Sequence, residues 1–255
     1  MSSASLQEIV SYCDRRLRPD TFADYDRAWN GLQVENQGKV TRIIAAVDAS
    51  RATVELALRA KGDLMIVHHG LFWSPTLPWT GSRYGLMKRL LEGNLAVYSQ
   101  HLPLDGHPTL GNAAQLARAL GFRSLRPFFA HKGAFLGVQT RLTKPISREK
   151  LGQELARVLG KPPLLLPGGA PVCRRLGICT GGAGSELSKA VAEGVDTFIT
   201  GEGPHWTHAL AEEQQLNVFY GGHYATETFG VKALAAEVAK KFRLPWEFVD
   251  HPSGL

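Results

Sequence analysis

Two stretches of this chain run through the same order of short apolar segments and helical patterns, and that doubling narrows the fold more than any other feature. In the first stretch IIAAV (43–47), DLMIV (63–67) and LAVYS (95–99) read as strands, with helical periodicity over 53–60, 84–92 and 111–120. In the second, LGICT (176–180), DTFIT (196–200) and NVFY (217–220) are the strands, and 185–193, 205–214 and 229–242 the helices. Continuous apolar runs alternating with a 3.6-residue period belong to α/β layers with largely parallel strands. Ile43 aligns with Leu176 and His68 with Gly201 at one offset. The loop SPTLPWTGSRY has no counterpart, and beyond it His101 aligns with His223 and Asp105 with Glu227. The fold class expected is therefore α/β, with two pseudo-repeated lobes spanning 1–124 and 125–255. A β-α-β element over about 128–172 opens the second lobe, with a strand at 133–142, a Ser147-capped helix over 147–159 and a strand at 164–166. WEFV (246–249) reads as a last strand.

The polar clusters fall at the carboxyl ends of these strands, where open α/β sheets bind their ligands. DLMIV runs into His68-His69-Gly70, and LAVYSQ into His101 and Asp105. DTFIT runs into Gly201-Glu202, and NVFYGG into His223 and Glu227. Neighbouring strand residues point to opposite faces, so His68 and His69 share a pocket only where the strand gives out beside Gly70. If a helix begins after Gly221-Gly222, His223 and Glu227 lie one turn apart on one face. The same spacing is common on ordinary exposed helices, and the reading rests on its place after a strand. Leu102-Pro103-Leu104 is expected to break any helix between His101 and Asp105. Asp105 is taken as a ligand, and His101 as a group next to the ligands or facing substrate.

Three histidines and two carboxylates exceed what one tetrahedral zinc requires. His68, His69, Asp105, His223 and Glu227 suit two divalent ions about 3.5–4 Å apart, in a cleft between the lobes. Mixed nitrogen and oxygen donors without thiolate favour zinc, iron(II), manganese or cobalt. Such a centre supplies hydroxide near neutral pH, so the reaction expected is a hydrolysis, with Glu202 or His101 moving the proton. His205 and His208, further along a helical pattern, are expected at the surface.

Composition narrows the class. The 255 residues are 44% hydrophobic and 20% charged, as in ordinary globular proteins. No apolar run approaches the roughly 20 residues of a membrane span, and the N-terminus reads as an amphipathic helix with Ser5 and Glu8 at capping-box spacing. Three cysteines (Cys13, Cys173 and Cys179) without a CxxC pair argue against a disulfide framework and for a reducing compartment, the cytoplasm. The net charge of +6 and pI near 9.3 permit anionic substrates or nucleic acid.

HHGLFW, QHLPLD-x5-GN, TGEG and GGHYATE, in that order, with WNGLQVE near the N-terminus, resemble the NIF-three-like family, also known as GTP cyclohydrolase 1 type 2 homologues. The resemblance spans nearly the whole chain. It implies a two-lobed α/β fold and a dinuclear metal site whose ligands fall on His68, His69, Asp105, His223 and Glu227. It also implies a toroidal homohexamer with the sites facing an inner cavity. The activity attributed to some members opens the guanine imidazole ring of GTP by water attack and releases formate. The long insertion domain of some larger members is not in this sequence. A non-enzymatic reading, a metal-dependent binding or metal-handling protein whose ring engages nucleic acid, is the alternative.

Overall fold

The computed structural model describes residues 2–73 and 78–255. It is a mixed α/β fold whose sheets combine parallel and antiparallel strands. Four residues of the loop without a counterpart, 74–77, lie outside the described residues. The chain falls into two compact units, Met1–Leu104 with Gly230–His251, and Asp105–Phe229 with Pro252–Leu255.

The first unit is built on a five-stranded sheet in the order Trp246–Phe248, Ile43–Asp48, Leu64–His69, Ala96–Ser99, Gly31–Val34. The first three pairings are parallel and the last is antiparallel. Its central strands are unbroken apolar runs because both faces are covered. Ile44, Ala46, Met65, Val67 and Val97 pack with Val54 and Ala57 of the helix Arg51–Arg59 and Leu90 of the helix Gly81–Glu92. On the opposite face Tyr98 donates its hydroxyl to Asp14 of the helix Leu6–Leu17 at 2.8 Å. That helix buries Leu6, Ile9, Val10, Cys13 and Leu17, as its periodicity requires. Ser5 makes no side-chain cap bond. Ala4–Ser5 pairs instead with Lys39–Val40, so the backbone just before the helix is held by a bridge rather than by a capping box.

The second unit has six strands in the order Arg126–His131, Ala134–Ser147, Val172–Ile178, Thr197–Thr200, Asn217–Tyr220, Leu164–Pro167. Three of its five pairings are antiparallel, which corrects the largely parallel sheet expected here. One of the three is a hairpin. Lys132 and Gly133 both have positive φ, 43° and 85°, the two-residue turn that joins twisted antiparallel strands. Pro127 is tolerated because its strand lies at the sheet edge. The helix Arg148–Leu159 starts with Ser147 accepting from Lys150 N at 3.2 Å and ends at Gly160, φ 78°. Its Leu151 and Leu155 pack with Leu176, Ile178, Ile199 and Phe219, and with Ala113, Leu116 and Ala117 of the helix Asn112–Ala119.

The units divide the chain differently from the sequence halves at 124/125. The helix Asn112–Ala119 packs in the core of the second unit, and Trp246–Phe248 is an edge strand of the first. Among the described residues no helix is long and apolar enough to cross a membrane.

Candidate metal centre

In the first unit the strand Leu64–His69 runs through both histidines before Gly70 turns the chain. It does not end ahead of them, as the sequence pattern suggests. The rings of His68 and His69 nonetheless lie 4.8 Å apart between centroids, and His101 is 5.0 Å from His68. All three offer ring nitrogens within 4.8 Å of one another. Each ring is fixed through Nδ1: His68 on the carbonyl of Gln100 at 3.0 Å, His69 on Asp48 Oδ1 at 2.8 Å, and His101 on Asp24 Oδ1 at 2.9 Å. With Nδ1 so held, Nε2 is the nitrogen each ring can turn to a metal, and a carboxylate or carbonyl behind the ring raises its basicity.

Asp24 is the most elaborately held of these partners. Its side chain is 6% exposed and takes hydrogen bonds from His101, Asn30 Nδ2, and the backbone N–H groups of Tyr25 and Leu102. Burial pushes its carboxyl up. The hydrogen bond and charge of His101, with the bonds from Asn30 and Tyr25, outweigh burial and hold it below the usual range. Asn30 also accepts from the backbone N–H of His101 at 2.7 Å. Gly70 is required by its surroundings, since a Cβ there would collide with the amide of Gln33 and lie 2.6 Å from Ser99 Oγ.

The second unit supplies a carboxylate-rich group. His223 is the first residue of the helix His223–Phe242, and Glu227 follows one turn later on the same face. His223 Nε2 lies 3.1 Å from Glu227 Oε2, and its Nδ1 lies 2.8 Å from Glu202 Oε1. Asp105 offers an oxygen within 4.8 Å of one from Glu227, and Oδ1 of Asp105 accepts from Asn112 at 2.8 Å. The hydrogen bond to Glu227 raises the pKa of His223 most. Burial opposes it, and the charge of Glu227 and the contact with Glu202 add to the rise, to about 9. Gly181, φ +69°, forms the floor: a Cβ there would collide with Glu227 Oε1 and sit 3.3 Å from His223 Nε2.

The donors fit divalent metal ions: mixed imidazole and carboxylate, each histidine backed through Nδ1, and a glycine floor where any side chain would fill the space. His68, His69 and His101 stand together in the first unit. In the second, Glu227 stands beside both Asp105 and His223, with Glu202 behind His223. Leu102–Asp105 forms one helical turn that Pro103 does not break, since proline is compatible with a first turn. His205 and His208 are exposed, as expected. The sequence reading missed Asp48 and Asp24. Asp48 carried the same strand-end signal as the histidines, whereas Asp24 lies in a loop whose spacing to His101 carries no pattern.

Residues 4–253 match the family Duf34/NIF3 (NGG1p interacting factor 3). The chain belongs to the Duf34/NIF3 family. Among its relatives, one from Halobacterium salinarum is 41% identical over 254 residues, covering 98% of this chain and 99% of the relative. Another, from Deinococcus radiodurans, is 37% identical over 248 residues, covering 97% and 94%. Both bear the name "GTP cyclohydrolase 1 type 2 homolog". A crystal structure of a Thermus thermophilus protein superimposes with a TM-score of 0.91 at 37% identity, covering 99% of this Duf34/NIF3 chain and all of the other.

Proposed function

We propose that this Duf34/NIF3 protein is a metal-dependent hydrolase of a nucleotide or a related small anionic substrate. The observation that carries the reading is the fixing of four histidines through Nδ1, on Gln100, Asp48, Asp24 and Glu202. Surface histidines have no need of such backing, whereas metal ligands almost always have it. In this reading His68, His69, Asp105, His223 and Glu227 hold two divalent ions, zinc, iron(II), manganese or cobalt. The ions, when bound, lower the pKa of water toward neutrality. His101, steadied by Asp24, is the group proposed to move a proton at the substrate. Glu202, behind His223, is proposed first as a positioning residue and second as a proton acceptor. The name carried by the relatives makes GTP the first substrate to try.

The test is metal content per chain of protein purified with neither added metal nor chelator, beside His68→Ala and Glu227→Ala. About two ions per chain are expected, with loss in both folded variants. No bound metal, and none taken up on titration, would refute the reading. A toroidal homohexamer in the cytoplasm belongs to the same proposal, and a monomeric mass in light scattering would remove the ring. The net charge of +6 favours a second reading, a non-enzymatic metal-handling ring that engages nucleic acid. Salt-sensitive oligonucleotide binding would support it, and absence of binding at low salt would end it.

A further inference from the structure

Beside the first unit's histidines lies a cleft of about 810 Å3 whose walls include Trp29, Phe72, Trp73 and Trp79, with Arg27 and Arg83. The size is that of a pocket for a small organic ligand. Trp29, Trp79 and Trp73 are 64%, 46% and 38% exposed, so three of the chain's five tryptophans leave their faces open in one place. Exposed apolar surface concentrated in this way marks a binding site more often than an ordinary surface. The walls are held in place. Trp73 donates Nε1 to Gly70 O at 2.7 Å, Phe72 and Trp79 meet edge to face at 6.2 Å, and Trp29 N donates to Phe72 O at 3.3 Å. Trp73 also touches His101 and His69, at 4.8 Å and 5.5 Å between centroids. Trp73 thus joins the wall of the cleft to His69, a candidate metal ligand, and to His101.

Among the described residues neither Arg27 nor Arg83 has an ion-pair partner. Two guanidinium groups without carboxylates, at the margin of an aromatic cleft, are suited to an anion attached to a flat ring. Indole faces stack on such rings, and the gain is tolerant of ring identity.

We propose that this cleft recognises a planar aromatic anion, its ring against the tryptophans and its acid group on Arg27 and Arg83, presented to His69 and His101. The inference deepens the hydrolase reading and rests on it for the identity of the neighbouring site. Binding in the cleft itself does not require the metal.

The test follows tryptophan fluorescence during titration with GMP and with 1-naphthyl phosphate, using metal-loaded and chelator-stripped protein. Guanosine and ribose 5-phosphate serve as the ring and the anion alone. Both complete probes should bind in both forms of the protein, about tenfold or more tighter than either fragment. Arg83→Ala and Arg27→Ala should each weaken GMP about tenfold while leaving guanosine unchanged, with Arg83→Lys intermediate. Trp29→Ala should weaken both complete probes. Melting curves establish that each variant is folded, and Arg83→Lys keeps the test open if an alanine variant is not. Binding of neither probe would overturn the proposal, as would affinities that Trp29→Ala and the arginine variants leave unchanged. A drop in assembly mass in Trp29→Ala would also overturn it, by making the patch a contact between copies. Failure in both forms of a protein that holds metal would sink the cleft and leave the metal centre standing. Binding in both forms of a protein that takes up no metal would do the reverse.

Discussion

The two units present histidine in the same manner and with different electrostatics. In the first, the rings sit at the carboxyl ends of buried parallel strands, and two of the three are held inward: His68 is wholly buried, and Asp24, behind His101, is 6% exposed, whereas Asp48, behind His69, is 43% exposed. In the second, His223 stands at the head of a helix with 30% of its side chain exposed, and Glu202 behind it is 45% exposed. The first unit fixes ring orientation by burial. The second places carboxylates against a single imidazole and leaves it cationic near neutral pH in the absence of metal. Position is set by the strands, whereas charge is set by the helix.

Changing the partner behind the ring gives the largest expected contrast. Asp24→Asn and Glu202→Gln each remove a carboxylate behind a histidine, and such partners are worth about 10–100-fold in metal affinity or activity. Asp24→Asn should fall near the upper end in activity, because four donors converge on a nearly buried group behind the proposed proton carrier, and Glu202→Gln near the lower end in activity but with the larger loss of metal affinity, because His223 is a proposed ligand. Metal dissociation constants and hydrolysis rates for the two variants check the ranking, and equal losses would break the comparison.

Next comes pH. The pKa of His223 rises from 6.5 to about 9 in the metal-free fold. A raised histidine pKa stabilises the fold fully below about 6.5, and the contribution is lost as pH rises through about 9. Metal competes for the same nitrogen, so affinity should rise about tenfold per pH unit from 7 toward 9 and then level off. Competition against a chelating dye reads this directly, and a flat profile would sink the assignment of His223 as a cationic ligand site.

Gly181→Ala tests the floor of the second unit. A side chain at φ +69°, aimed at Glu227, should cost about 1–2 kcal/mol in denaturant unfolding and reduce metal uptake. The smallest contrast concerns helix starts. Ser147→Ala should cost about 1 kcal/mol, because its side chain caps Lys150 N. Ser5→Ala, with no cap bond to lose, should stay within about 0.5 kcal/mol.

Much of this was legible in residue order. Most buried strands were read within a residue or two, since a strand covered on both faces must be apolar throughout, whereas LGICT (176–180) starts four residues late against Val172–Ile178. NVFY is the strand Asn217–Tyr220, and DTFIT contains Thr197–Thr200. The hairpin at Lys132–Gly133 escaped because its first strand carries Pro127 and little alternation. The apolar period is regular only over 229–242, but the helix begins at His223, directly after Gly221-Gly222, the start on which the pairing of His223 with Glu227 depended. The candidate ligands were legible as polar residues ending apolar strands. Asp24 was not, because a loop residue is brought to His101 by tertiary packing alone.

The division of the chain also bears on how it comes off the ribosome. The second unit is continuous over Asp105–Phe229, whereas the first takes Gly230–His251 from far downstream. Trp246 pairs with Ile43 at the edge of the first sheet. Contacts this distant in sequence close late, at a cost in loop entropy. During synthesis, therefore, the half of the protein that emerges first is the last to be completed. Its strand 43–48, apolar on both faces, waits for an edge partner made far downstream, while the middle of the chain already has all but its last four residues.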